Sequence, residues 1–255
     1  MTPKTAPKAG PSPSWAIASP LCLVDVVIFT IRDGKLHVLL VRRPSGADDP
    51  FPSAWALPGG FIDVERDVSI EDTARRKLME KTGVQRAYLE QLGSFGGRRR
   101  DPRGWSVTTV YFALMPSEGV ILTTGGNAEE AAWFPIGRKA SDVPLAFDHG
   151  RILEAALTRL RNKVEYTSLP VHLLGPEFTL HDLQRIFEIV LGREVDKSAF
   201  RTRVLSAGFL EPSGDVRIGR NRPAQLYRRI AGKEAVFFPR TFYPKSGGKA
   251  PDGTR

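Results

Sequence analysis

The feature that most constrains this chain is an Asp-Gly pair, Asp33-Gly34, set between two β-rich runs, LCLVDVVIFTIR (21–32) and KLHVLLVRR (35–43). Two apolar runs separated by Asp-Gly predict an antiparallel hairpin, because both turn residues must take positive φ and those residue types tolerate it. A Pro/Gly-rich loop follows and ends in WALPGGF (55–61). A helical run then extends from about Ser69 to Thr82 and stops at Gly83. Strands are expected near Tyr88–Phe95, Val107–Met115 and Ala131–Pro135. A longer helix is expected over about His149–Lys163, with Ile152, Leu153, Ala156, Leu157 and Leu160 at helical spacing. Asp148 is placed to cap it. Strands interleaved with helices predict an α/β (α+β) domain.

The texture changes near residue 166. FTLHDLQRIFEIVLG (178–192) reads as an amphipathic helix capped by Thr179, with Leu183, Ile186, Phe187 and Val190 inward. REVDKSAFRTRVLSAGFL (193–210) reads as a second helix, capped by Asp196, with Phe200, Val204 and Leu205 inward. Two extended pieces follow, Glu211–Gly219 and Gln225–Ile230. Helix, turn, helix and hairpin is the order of a winged helix-turn-helix. The expected division is a tail over 1–18, an α/β domain over 19–165, a winged helix over 166–240 and a tail over 241–255. Both tails are rich in Pro, Lys, Ser or Gly and lack apolar periodicity, so both are expected to be disordered.

Composition removes several classes. At 255 residues the length fits about two domains at roughly 150 residues each. Hydrophobic residues at 41% and charged residues at 25% are too apolar for a disordered chain. The lone cysteine, Cys22, cannot form an intrachain disulfide, which excludes a Cys-rich zinc module and suits the cytoplasm. No apolar stretch approaches the ~20 residues of a bilayer span, and no signal peptide or membrane partner is expected. The formal charge is +9 and unevenly spread: residues 1–160 hold 20 basic and 18 acidic side chains, and 161–255 hold 17 and 10. A concentration of positive charge in one half is expected where that half meets a polyanion.

GGFIDVERDVSIEDTARRKLMEKTGV (59–84) resembles the Nudix box of the Nudix hydrolase superfamily, whose helix carries the run R-E-U-x-E-E-x-G-U, with U aliphatic. That resemblance implies a Nudix α/β/α sandwich with a mixed sheet. It also implies metal-assisted cleavage of nucleoside diphosphate derivatives, with carboxylates on one helix face holding Mg²⁺. Arg76 falls on the motif arginine, Leu78 on its aliphatic residue, Glu80 on the first glutamate of the pair and Gly83-Val84 on its end. Lys77 and Lys81 fall where the family has glutamates, Val68 falls on the early glutamate, and the intervening loop is two residues longer. Residues four apart share a helix face, so two ammoniums stand where two carboxylates would hold a hard cation. Neither a metal site nor hydrolysis is expected, and no catalytic residue is assigned. Lys77 and Lys81 are expected to supply the positive charge toward pyrophosphate that a metal supplies elsewhere.

A Nudix domain followed by a winged helix resembles the Nudix-related transcriptional regulators of the NrtR type. The resemblance rests on GGRRRDPRGWSV (96–107), WFPI (133–136), LAFDHGRILEAALTRLRNK (145–163), FTLHDLQRIFE (178–188) and RPAQLYRR (222–229). It implies a DNA-binding regulator of NAD-metabolism genes, a repressor rather than an activator. It also implies a homodimer on a palindromic operator, with ADP-ribose or a related nucleotide as effector and no required cofactor. The effector-binding candidates are Arg76, Lys77, Glu80, Lys81, Arg100, Asp101 and Arg103. On residue chemistry alone the Arg98–Arg103 stretch, read as a loop, suits three roles: clamping effector pyrophosphate, clamping operator phosphates, or lying in solvent. For His149, packing or capping is favoured over an active-site role. The DNA-binding candidates are Lys197, Ser198, Arg201, Thr202 and Arg203 on the second helix of the pair, and Arg217, Arg220 and Arg222 on the wing. Two other readings stay open: an active ADP-ribose pyrophosphatase with an accessory domain, and a scaffold whose winged helix docks protein.

Overall fold

The structure, a computed structural model, describes residues 19–118, 120–124, 128–137, 140–218, 223–233 and 235–239. The two expected tails lie outside them. β1 (Leu21–Arg32) and β2 (Lys35–Arg42) form the hairpin, with Arg32 opposite Lys35. Asp33 and Gly34 turn it at φ 48° and 68°, the mirror-image turn whose twist matches that of the strands.

The other edge of β1 pairs in parallel with β6 (Gly104–Leu114), and β6 pairs antiparallel with β5 (Tyr88–Asp101). The strand order is β3-β2-β1-β6-β5, where β3 is Trp55–Ala56; β4 (Gly59–Phe61) joins β1 and β7 (Glu130–Pro135) joins β2. The sheet is therefore mixed. Alternation along its strands sends Val24, Val26 and Ile28 toward Ala74 and Leu78 of α1 (Ile70–Thr82). Val27, Phe29, Val110 and Phe112 face the opposite way, toward Ile152, Leu153 and Ala156 of α2 (His149–Val164). The result is a helix on each face of the sheet, the α/β/α sandwich.

One segment differs from the sequence expectation. The Arg98–Arg103 stretch is not a loop, because β5 continues through it to Asp101 and turns back into β6 at Gly104. The sheet ends at β5. An edge strand needs pairing on one side only and can do without apolar alternation. The register shifts between Gly97 and Asp101, a bulge of the kind that edge strands carry.

The second domain begins at a 3-10 turn, Leu169–Leu173, and contains β8 (Phe178–Thr179), α3 (Leu180–Leu191), α4 (Lys197–Ser206), β9 (Leu210–Arg217) and β10 (Ala224–Arg229). Its sheet runs β8-β10-β9. Thr179 and Asp182 form a reciprocal capping box at the start of α3, and Asp196 caps α4 by accepting from the Ala199 amide at 2.8 Å. Phe187, Phe200, Val204, Phe209 and Phe238 close its core. Leu205 does not join them and is 44% exposed. Phe200 and Val204, four apart, set the inward face, and one further residue turns the side chain about 100° away.

This core is continuous with the one under α2. At the seam Arg161 of α2 donates to the Val190 carbonyl of α3 at 3.3 Å, and Arg193 pairs with Glu165 at 2.8 Å. Among the described residues no helix is long and apolar enough to cross a membrane.

Candidate functional site

A cleft of about 560 Å³ opens beside the N-terminal half of β1, between β4, α1 and the β5–β6 turn. All seven candidate effector residues line it: Arg76, Lys77, Glu80, Lys81, Arg100, Asp101 and Arg103. Local sequence chemistry builds each wall. The loop before α1 is fixed by a capping box, Ser69 with Asp72, and by Asp67. The Asp67 carboxylate accepts from Arg76 Nε at 2.8 Å, Arg76 Nη2 at 2.5 Å, Thr73 Oγ1 at 2.7 Å and the Asp63 amide at 3.0 Å. The Arg76 guanidinium, outweighing the cost of burial, holds this carboxyl well below the usual carboxylate range. Arg76 therefore lines the cleft as a clamp already engaged with protein carboxylates.

One turn on, Glu80 accepts from Arg76 Nη1 at 3.0 Å and from Lys77 Nζ at 3.1 Å. Burial raises its pKa, but these two cations more than offset that and leave it lowered. Lys81 is buried; desolvation, with Lys77 adding to it and Glu80 opposing, lowers its pKa. The paired glycines of the PGGF run have separate reasons. A Cβ at Gly59 would stand 2.0 Å from Asp25 Oδ1, and one at Gly60 would stand 3.3 Å from Lys77 Cε. Gly59 has no room for a Cβ, and Gly60 sits at φ 152°, a backbone angle that other residues rarely adopt.

The floor is a buried charge cluster. Arg100, with a side chain 5% exposed, donates to Asp25 Oδ2 at 3.0 Å, and its Nε lies 3.0 Å from Asp148 Oδ1 in an ion-pair contact. Asp148 precedes α2 but makes no side-chain capping bond; its carboxylate faces Arg100 instead, which corrects the capping role expected from sequence. His149 packs beneath. Its Nδ1 accepts the Leu57 amide at 2.9 Å, which leaves its proton on Nε2, 3.6 Å from Asp25. Asp101 and Arg103 pair through two side-chain bonds, 3.0 and 2.7 Å. Burial raises the Asp101 pKa, and the Arg103 bonds overcome it to leave the carboxyl low.

Sequence reasoning did not assign Asp25, Arg43, Phe61 and Phe147 to the site, and they line the cleft as well. Asp25 left a signal, a single acid inside an otherwise apolar strand. Phe61 and Phe147 lie inside the GGF and LAFDH runs without titratable chemistry to mark them, and Arg43, just past the end of β2, left no signal.

Six Lys/Arg and five Asp/Glu side chains line the cleft, so it can clamp a compact anion. Its donors do not suit a hard divalent cation, which takes several carboxylate or carbonyl oxygens. Lys77 and Lys81 bring ammonium groups to the cleft, and Glu80 is already tied to two cations. Among the described residues no group of three or more His, Cys, Asp or Glu side chains converges on a point.

In the second domain Lys197, Ser198, Arg201 and Thr202 lie along the exposed face of α4. Arg203 does not share it: one position before core residue Val204, it is half-buried with Nη1 fully buried. Arg217 is exposed on the wing and donates to Asp182 at 2.7 Å. Arg220 and Arg222 lie outside the described residues.

Residues 23–156 match the family profile of the NUDIX domain, and residues 170–229 match that of the NrtR DNA-binding winged helix domain. The chain is 44% identical over 228 residues to the ADPR responsive transcriptional repressor NtrR of Acinetobacter baylyi, covering 89% of each protein. Shewanella oneidensis NrtR in complex with a 27mer DNA superposes with a TM-score of 0.79 at 41% identity, covering 87% of this chain and 99% of that one. The NUDIX domain of the same protein, complexed with ADP ribose, gives a TM-score of 0.52 at 43% identity over 58% of this chain and 94% of that one.

Proposed function

The chain belongs to the NrtR family, a NUDIX domain joined to a DNA-binding winged helix, and from that premise we propose that it is a transcriptional repressor responsive to ADP-ribose. The observation that carries this reading is the pairing of an anion-clamping cleft with a winged helix whose α4 leaves Lys197 and Arg201 in solvent. The pyrophosphate lies against Lys77 and Lys81, with Arg100, Asp101 and Arg103 completing the far wall. Lysines at the metal-ligand positions make binding independent of a divalent cation and leave the nucleotide uncleaved. Lys197, Ser198, Arg201 and Thr202 enter the major groove, and Arg217 reaches phosphate at the wing by exchanging Asp182 for DNA. The protein acts as a homodimer on a palindromic operator of NAD-metabolism genes in the cytoplasm, one subunit per half-site.

Helix α2 links the two activities. Its first residue, His149, and the preceding Asp148 belong to the cleft floor, while Arg161 and Val164 at its other end meet the second domain. A nucleotide changes DNA affinity only through unequal binding to two arrangements of the dimer, and the coupling acts equally in both directions.

The test is a gel shift on DNA from upstream of the gene itself. Retention is expected without nucleotide and is expected to change as ADP-ribose is titrated in the presence of chelator. Retention that ignores ADP-ribose, or release of AMP from ADP-ribose with Mg²⁺ or Mn²⁺, overturns the reading.

A further inference from the structure

Glu165–Ser168 alone join α2 to the 3-10 turn that opens the second domain. A short exposed connection would leave its backbone free to rotate, and the domains could swing about it. This one is buried and paired. Thr167 and Ser168 are fully buried, and Thr167 Oγ1 donates to the Lys163 carbonyl at 2.7 Å, near the end of α2. Further bonds reach it from residues 235–238, which follow β10 and so lie beyond the wing in the chain. The Ser168 amide donates to the Val236 carbonyl at 2.9 Å, the Val236 amide to Ser168 Oγ at 2.9 Å, and the Phe238 amide to the Tyr166 carbonyl at 2.7 Å. Thr167 and Phe237 face each other in an antiparallel bridge, and the Phe237 ring stacks on Tyr166 with centroids 6.1 Å apart.

The same segment is anchored on its other side. Phe238 is 5% exposed, and its ring centroid lies 6.4 Å from that of Phe187 on α3 and 6.2 Å from that of Phe209, just before β9. Phe187 in turn meets Phe200 of α4 edge-on at 5.3 Å. Residues 235–238 therefore hold the end of α2 and the core beneath α3 and α4 at once. An unpaired loop takes up a displacement by turning its own φ and ψ. A connection that is paired along its backbone and plugged by a buried ring passes the displacement on, because packed cores shift as units.

We propose that residues 235–238 are a strap that couples the two domains, locking Glu165–Ser168 so that a shift of α2 carries α3 and α4 with it. Such coupling presupposes the reading that ADP-ribose in the cleft changes DNA affinity, and it adds the element through which that change crosses the seam. None of the strap residues lines the cleft, so they act as positioning residues. With the strap detached, the cleft keeps its ligand contacts while the connection absorbs the movement of α2.

Gel shifts of the full chain on its own upstream DNA, without and with saturating ADP-ribose, measure the coupling as the ratio of the two DNA affinities. Such ratios are about 5–150-fold in coupled systems. Phe238→Ala is expected to bring the ratio at least about threefold closer to one, within the range by which residues that touch neither ligand modulate coupling. ADP-ribose affinity of the DNA-free protein, measured by calorimetry, stays unchanged. Phe238→Leu, which keeps most of the plug, retains the coupling. Because Phe238→Ala also opens a cavity in the winged-helix core, Ser168→Ala is measured beside it. That variant removes the acceptor of the Val236 amide, leaves Phe238 in place, and is expected to lower the ratio by about twofold. If Phe238→Ala binds no DNA at all, the ratio for Ser168→Ala decides alone. Weaker DNA binding at an unchanged ratio makes the segment a core element only and overturns the proposal, as does an unchanged ratio in Ser168→Ala. A wild-type ratio of one overturns the parent reading itself, an outcome distinct from either of those.

Discussion

The cleft and the α4 surface both rest on Lys and Arg, yet they hold them in opposite ways. In the cleft Arg43, Arg76, Lys77, Arg100 and Arg103 are each already engaged with a carboxylate, and Arg100 is buried. On α4, Lys197 and Arg201 stand in solvent. Pairing fixes a cation's position before a ligand arrives, so little ordering remains to be done on binding, and burial shields it from salt. An exposed cation keeps its freedom and its counterions, and gives both up on meeting a phosphate chain. On the proposed function, one site is therefore organised for a single small geometry, and the other for a long polyanion whose backbone is the same everywhere.

The sharpest way to break that contrast is salt. If the protein neutralises about 6–10 phosphates, its DNA affinity falls by roughly 10³–10⁵ between 50 and 200 mM salt. ADP-ribose affinity, measured by calorimetry over the same range, is expected to fall far less. Parallel losses for both ligands would show that cleft pairing does not insulate its cations. Next in size is the clamp before α1. Arg76→Gln leaves Asp67, whose side chain is 3% exposed, without its main partner, and breaking a pair of this kind costs about 3–5 kcal/mol. Urea unfolding is expected to show that loss; a change under 1 kcal/mol would mean that the pairing is ornamental.

A smaller effect is expected on α4. Arg201→Ala should cost about 1–3 kcal/mol of operator affinity if it reads a base, with ADP-ribose affinity untouched. Arg203→Ala separates the exposed face from its neighbour. Because Arg203 is half-buried against the core, its loss is expected in protein stability before it appears in DNA affinity. If the two variants weaken DNA binding equally at unchanged stability, the assignment of faces on α4 fails.

Legibility followed the range of the interactions. The hairpin, the capping of α3 and α4 and the helix carrying Lys77 and Lys81 could be read because residues within a few positions decide them: Asp33-Gly34, Thr179 with Asp182, Asp196, Gly83. The winged-helix order could be read for the same reason. The continuation of β5 could not, since Gly97–Asp101 is held by pairing with β6 across a bulge and by Arg100 reaching Asp25 and Asp148, partners distant in sequence. Leu205 was misplaced because one residue of helical phase separates core from surface, and Asp148 because a distant arginine outbid its own helix end. Asp25, Phe61 and Phe147 reach the cleft from three separate elements, and only the sheet brings them together.

The smallest expected effect concerns His149, where the cleft holds a histidine and α4 holds none. Its Nδ1 accepts from Leu57, so the fold selects the neutral ring. Burial lowers its pKa and outweighs the attraction of Asp25, while Arg100 opposes the proton and Asp148 favours it. An unfolded histidine takes up its proton near pH 6.5, whereas the folded one does so only at lower pH. Between those values the unfolded chain binds more protons, so stability is complete above about pH 6.5 and declines as pH falls below it. The Asp67 and Asp101 carboxyls, both lowered, contribute only at still lower pH. His149→Asn keeps an acceptor for the Leu57 amide and removes the proton site. Its stability, followed by urea unfolding from pH 7.5 to 5, is expected to decline less steeply than that of the wild type. The other histidines are common to both proteins and cancel in the difference. Identical slopes would mean that His149 titrates in the fold as it does in water, and that the cleft floor is open to solvent as the α4 face is.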